Sequence, residues 1–263
     1  MPIPTEKIIE AAKREGFATE LQTASIAIGA GWRTNENVYY IDKDENKGRE
    51  LDLSMYRLFC ETSQKPEVTC MITLCVEVKR TQDPFIFFCS DQKDQYEGSA
   101  GYGIFNWNRN IDRFVLSFQD IDKLRPMSKP VRLARSYTSF KTGKAQHIQS
   151  GIISAFKAAI HAKNACNEAY SNTSGEICFF IPIVVVDGPM YQCFYDKSNE
   201  LVAEEVQNVV YKQNYHSPNY GRVSSNVLVI DINFFKYQLS KFDRWGEHIL
   251  SVMIQNRDKV KGV

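Results

Sequence analysis

The chain has 263 residues, 43% of them hydrophobic and 12% aromatic, enough for one large core or two small ones. Its 32 lysines and arginines balance 31 aspartates and glutamates to a net charge of +1, so any polyanion-binding surface has to come from local clustering. Seven cysteines, none in Cys-x-x-Cys spacing and most in apolar runs, argue against a zinc site or a disulfide framework and for buried thiols in a reducing compartment.

Pro2, Pro4, Glu6 and Glu10 break up the start of the chain, which reads as lacking a signal peptide. The longest apolar run, Ile177 to Val186 with Pro182 inside it, is too short to span a bilayer. The expectation is a soluble, cytoplasmic protein with no membrane contact.

Residues 4–15 predict a helix that Thr5 can cap and Gly16 ends, with Ile8, Ile9 and Ala12 as its stripe. A second helix is expected from Phe17 to Ala30, with Phe17, Leu21, Ala24 and Ile28 on one face and Glu20 at its flank. Val38–Ile41 and Arg49–Met55 read as a hairpin around a polar loop, with Glu50 and Asp52 on one face and Leu51 and Leu53 on the other. Val68–Lys79 is the next strand, and Phe85–Cys89 another. Residues 90–112 read as irregular with one short helix, and the glycines at 98, 101 and 103 as a flexible turn. Phe114–Phe118 fits either a strand or the start of a helix. A helix is expected from Thr142 to Ala165, with Ile148, Ile152, Ile153, Phe156, Ala159 and Ile160 as its apolar face. Ile177–Val186 reads as a central strand that turns at Asp187-Gly188-Pro189 into a hairpin with Met190–Tyr195. Residues 211–226 look like a loop. Val227–Ile232 is a last buried strand, and Phe234–Leu239 and Trp245–Arg257 are two helices. With no repeat and no linker, residues 1–263 form a single domain of mixed α/β type, with a core over about 5–195 and a C-terminal strand and helices at 227–260 packing on it.

The most informative stretch is Glu77-Val78-Lys79. Side chains alternate along a strand, so Glu77 and Lys79 project to one face at the end of an apolar run. Burying such charges costs free energy that a purely structural strand does not need to spend. Metal-assisted phosphodiester cleavage uses this set: carboxylates to hold a hard cation and an ammonium to orient water or stabilise charge on the phosphate. Asp52 on the preceding strand, Glu20 on the preceding helix and the Val78 carbonyl complete a candidate constellation. His161, His216 and His248 lack ligand spacing and read as structural.

The pattern Asp52 … Glu77-Val78-Lys79, preceded by a helix carrying Glu20, resembles the PD-(D/E)XK nuclease superfamily over residues 5–80. Beyond residue 80 only the order of elements matches, and Leu51 stands where the motif's proline would be. The resemblance implies a restriction-endonuclease-like mixed sheet flanked by helices, with a C-terminal extension. It implies Asp52, Glu77, Val78 and Glu20 around Mg²⁺ or Mn²⁺, Lys79 as the catalytic lysine, and Gln146 or Gln149 near the site. It further implies cleavage of DNA, as an endonuclease, in a defence or repair setting, with a homodimer or a defence-system protein as partner.

Between Asp122 and Glu168 the chain has no acidic residue but nine lysines and arginines. Arg132, Arg135, Lys141, Lys144 and Gln146 are the candidate nucleic-acid contacts there, leading into a helix N-terminus that suits phosphate. The alternative expectation is a catalytically silent nucleic-acid-binding module, or a protein-interaction subunit, on the same fold.

Overall fold

The computed structural model describes residues 3–90, 105–126, 132–141, 145–166 and 174–260. Two helices, α1 (Thr5–Glu15) and α2 (Phe17–Gly29), meet at Gly16, whose φ of 94° ends the first and starts the second. An antiparallel meander follows: β1 (Arg33–Asp42), β2 (Lys47–Glu61) and β3 (Val68–Arg80). Then come β4 (Phe85–Ser90), β5 (Phe105–Arg109), α3 (Phe118–Asp122) and β6 (Leu133–Ser139). The long helix α4 (Gln146–Ala165) crosses to β7 (Gly175–Asp187), which lies parallel to β3 along the whole of both strands. The chain closes with β8 (Met190–Tyr195), β9 (Leu201–Glu205), β10 (Asn208–Ser217), β11 (Gly221–Asp231) and α5 (Ile232–Gln255).

Among the described residues eleven strands join one mixed sheet in the order β1-β2-β3-β7-β11-β10-β6-β4-β8-β9, with β5 also pairing β7. The molecule is thus α/β, a large mixed sheet flanked by helices. No helix among the described residues is long and apolar enough to cross a membrane.

Residues on β3 and β7 alternate between two apolar clusters. Ile72, Leu74, Val76, Ile181 and Ile183 join α2 and α5; Cys75, Phe180, Val184 and Val186 join α4. A parallel pair covered on both faces explains why these two strands read as near-continuous apolar runs. Pro182 falls where β7 passes from its ladder with β5, ending at Phe180, to its ladder with β11, starting at Ile183.

Several expectations are corrected. Met190–Tyr195 does not form a hairpin with β7; it pairs in parallel with β4 and antiparallel with β9. Residues 211–226 are not a loop but the body of the β10–β11 hairpin, from Asn208↔Ile230 to Ser217↔Gly221. The two C-terminal helices are one 24-residue helix, α5, capped by the Asp231 side chain on the Asn233 amide. A strand, β6, lies inside the basic stretch, and another, β5, inside the region expected to be irregular. Phe114–Phe118 is neither a strand nor mostly helix: the helix starts at Phe118, capped by a reciprocal Ser117–Asp120 box. Residues 142–144, the expected start of α4, and the glycines at 98, 101 and 103 lie outside the described residues.

The stripe expected to bury α2 is mostly on the outside. Phe17, Leu21 and Ile28 are more than half exposed, while Thr19, Thr23, Ala24 and Ala27 face the protein. Small side chains let the helix sit close to the body, where Ala24 and Ala27 reach the core. Leu51 and Leu53 are both buried but in opposite clusters, Leu53 on the α5 side and Leu51 on the α4 side. The strand changes face between them, at Asp52.

Candidate active site

The β2–β3 ladder runs from Glu61↔Val68 to Leu53↔Val76 and stops. At the next position the Asp52 side chain takes over the role of backbone: its Oδ2 accepts the Val78 amide at 2.7 Å. Across β2, Asn37 has a left-handed φ of 53°, in the register gap between Glu36↔Leu53 and Val38↔Leu51. The strands therefore part at Asp52. The N–H and C=O of one strand residue point to the same edge, so the Val78 carbonyl lies on the β2 edge, beyond the end of the ladder.

Glu77 and Lys79 emerge on the α4 face. Lys79 Nζ lies 2.7 Å from Glu77 Oε2 and 3.7 Å from Asp52 Oδ2. Both carboxylates are thus gathered around one ammonium, well within the roughly 10 Å that one or two bridged cations can gather. Glu77 is 5% exposed. Burial, with help from Asp52, raises its pKa against the pull of Lys79. Burial would lower the Lys79 pKa, but Glu77 and Asp52 outweigh it and raise it.

Helix α4 is shaped around this pair. Gly151 leaves room for the lysine stem: a Cβ there would lie 2.9 Å from Lys79 Cε and 3.3 Å from Cγ. One turn on, Ser154 Oγ donates to Glu77 Oε1 at 2.6 Å, and Tyr40 OH donates to Ser154 Oγ at 3.2 Å. One turn earlier, His147 lines the cleft; burial and the Lys79 charge lower its pKa, which favours the neutral ring.

Two arms of a cleft meet at Asp52. One, of about 520 Å³, is lined by Arg14, Glu20, Lys79, Arg80 and His147; the other, of about 530 Å³, by Tyr40, Arg49, Glu50, Glu77 and Ser154. Glu20 stands on the first turn of α2, where burial and the Asp52 charge raise its pKa. Among the described residues no three His, Cys, Asp or Glu side chains converge into a cation cage, Glu20 with Asp52 and Glu77 included. The remaining donors are two carboxylates and a carbonyl, all oxygen. This set suits Mg²⁺, which takes one or two protein carboxylates and completes its shell with water and phosphate.

Of the other candidates, Gln146 and Gln149 are exposed and neither lines the cleft; His147 stands there instead. The basic stretch does not form one surface. Lys157 is 4% exposed, within 2.8–2.9 Å of both Asp42 oxygens and 3.1 Å from Asp44. Arg125 is buried against Asp122. Arg132 stacks on Phe194 and pairs with Glu204 at 3.5 Å. Arg135 and Lys141 are exposed, and the Lys141 amide donates to Asp83 beside the cleft residues Thr81 and Gln82. Lys144 lies outside the described residues.

Sequence reasoning missed Tyr40, His147, Gly151 and Ser154. The apolar face of α4 was visible and is the face that packs on the sheet, but not which strand residues its flank of His147, Gly151 and Ser154 would meet. No family model, curated protein or solved structure matches the chain.

Proposed function

We propose that this chain is a divalent-metal-dependent nuclease, acting on DNA as an endonuclease, with the helix–meander–helix–strand core of the PD-(D/E)XK fold. One observation carries the reading: Asp52 and Glu77, from two strands that part at this point, share one half-buried ammonium at the mouth of a cleft. An ordinary sheet would continue its ladder there.

Asp52, Glu77 and the Val78 carbonyl would hold Mg²⁺ or Mn²⁺, which when bound supplies charge at the phosphate and a water acidic enough to ionise near neutral pH. Lys79 keeps its proton, so it acts as a fixed cation for the attacking water and for charge developing on the phosphate. Arg14, Arg80 and His147 line the arm along which a phosphate chain would approach. Incubation with plasmid and linear DNA tests the reading: cleavage should require Mg²⁺ or Mn²⁺ and stop with chelator.

A second reading, a silent nucleic-acid-binding module, is favoured by one feature: Lys79 already pairs with both carboxylates and offsets part of their charge without a metal ion. It predicts salt-dependent binding that chelator leaves unchanged, and no cleavage.

Gly151 is packed against the Lys79 stem, so it bears on the site directly. Alanine should be tolerated by the helix, where it is favoured over glycine by about 1 kcal/mol. Yet its methyl would displace the Lys79 stem. Gly151→Ala is expected to keep its melting temperature within a few degrees while cleavage falls by roughly ten-fold or more.

A further inference from the structure

Resting on the nuclease reading, we infer that Tyr40 and Ser154 are positioning residues that hold Glu77 in its cation-binding orientation. The two lie on separate elements, β1 and α4, and neither belongs to the Asp…Glu-x-Lys pattern. Ser154 stands mid-helix, where a serine commonly turns back to the carbonyl four residues earlier. Here it points away from its helix and gives its one proton to Glu77 Oε1 at 2.6 Å. Tyr40, 4% exposed, gives its proton to Ser154 Oγ at 3.2 Å.

The direction of this chain is fixed by chemistry. A hydroxyl has one proton and two lone pairs. With Tyr40 donating to one lone pair, the Ser154 proton is left for Glu77. Burial pushes the Tyr40 phenol up to about 12, so it stays a donor across the physiological range. Oε1 of Glu77 is thereby committed to the helix, and Oε2 is turned toward Lys79 and Asp52, at 2.7 Å from the ammonium. A free glutamate would sample several rotamers; this one presents a single oxygen to the cleft. Hydrogen-bonding partners behind a ligating carboxylate usually matter by 10–100-fold in metal affinity or activity.

The test is Mn²⁺ binding by titration calorimetry, with DNA cleavage and thermal melting alongside, on the full chain. Ser154→Ala is expected to weaken Mn²⁺ affinity by roughly 10–100-fold. Ser154→Thr, which keeps the hydroxyl, should return it to within about three-fold of wild type, as expected if the hydroxyl is the operative group. Tyr40→Phe should fall between the two, because Ser154 keeps its proton but loses what aims it. If Ser154→Ala lowers only the melting temperature and leaves Mn²⁺ affinity unchanged, or if Ser154→Thr fails to restore it, the positioning role is overturned while the nuclease reading stands. If wild type neither binds Mn²⁺ nor cleaves DNA, the nuclease reading falls and takes this inference with it.

Discussion

Asp52→Ala and Lys79→Ala are each expected to lower Mg²⁺-dependent DNA cleavage by at least roughly 10²–10³-fold, the usual effect of removing one preorganised electrostatic group. The two losses have different origins. Asp52→Ala removes a cation ligand and also leaves the Val78 amide without its acceptor, so it should loosen the point where β2 and β3 part. Lys79→Ala removes the fixed cation and strands Glu77. Burial already raises the pKa of that carboxyl, and Lys79 opposes the rise more strongly than the Ser154 hydrogen bond does. Without the lysine the neutral acid gains at neutral pH, and a neutral acid is a poor ligand. Lys79→Ala should therefore also demand more Mn²⁺ for half-maximal cleavage. Variants that cut at the wild-type rate would remove these residues from the chemistry.

Lys157→Met is expected to cost about 3–5 kcal/mol of stability, the price of leaving a buried carboxylate uncompensated. Asp42 is 4% exposed and holds Lys157 through both oxygens. Burial alone would lower the Lys157 pKa, but its hydrogen bonds to Asp42, Tyr215 and Asp44 outweigh it and raise it. The ammonium also lies 5.0 Å and 5.2 Å from the ring centres of Tyr215 and Tyr220. It thus ties the β1–β2 turn and the β10–β11 hairpin to α4, walling one arm of the cleft. Urea unfolding of the variant measures the effect. A loss under about 1 kcal/mol would mean that the ammonium is held no more firmly than in a surface ion pair.

The strands that carry the candidate site were legible because a strand's two-residue period needs no knowledge of the rest of the fold. Thr69 to Val78 is apolar enough to be recognised alone, and alternation then places Glu77 with Lys79. Asp52 was found on the adjoining strand, although the flip that sends Leu51 and Leu53 to opposite clusters was not visible locally. The β10–β11 hairpin read as a loop because its Asn, Ser and Gly carry turn chemistry; only the ten-pair ladder overrides that bias. Lys157 read as surface charge because its partner Asp42 is 115 residues away. The same distance effect hid Tyr40, whose contact with Ser154 spans 114 residues. The outward turn of Phe17, Leu21 and Ile28 shows that an apolar stripe marks a face without saying what covers it.

Diffraction from crystals soaked in Mn²⁺, recorded at the manganese edge, tests the central claim most directly. The account predicts an anomalous peak within about 2.5 Å of Asp52 and Glu77 oxygens and the Val78 carbonyl, with the Lys79 ammonium displaced from its place between the carboxylates. No peak there at saturating Mn²⁺, with Lys79 still bridging Asp52 and Glu77, would contradict it.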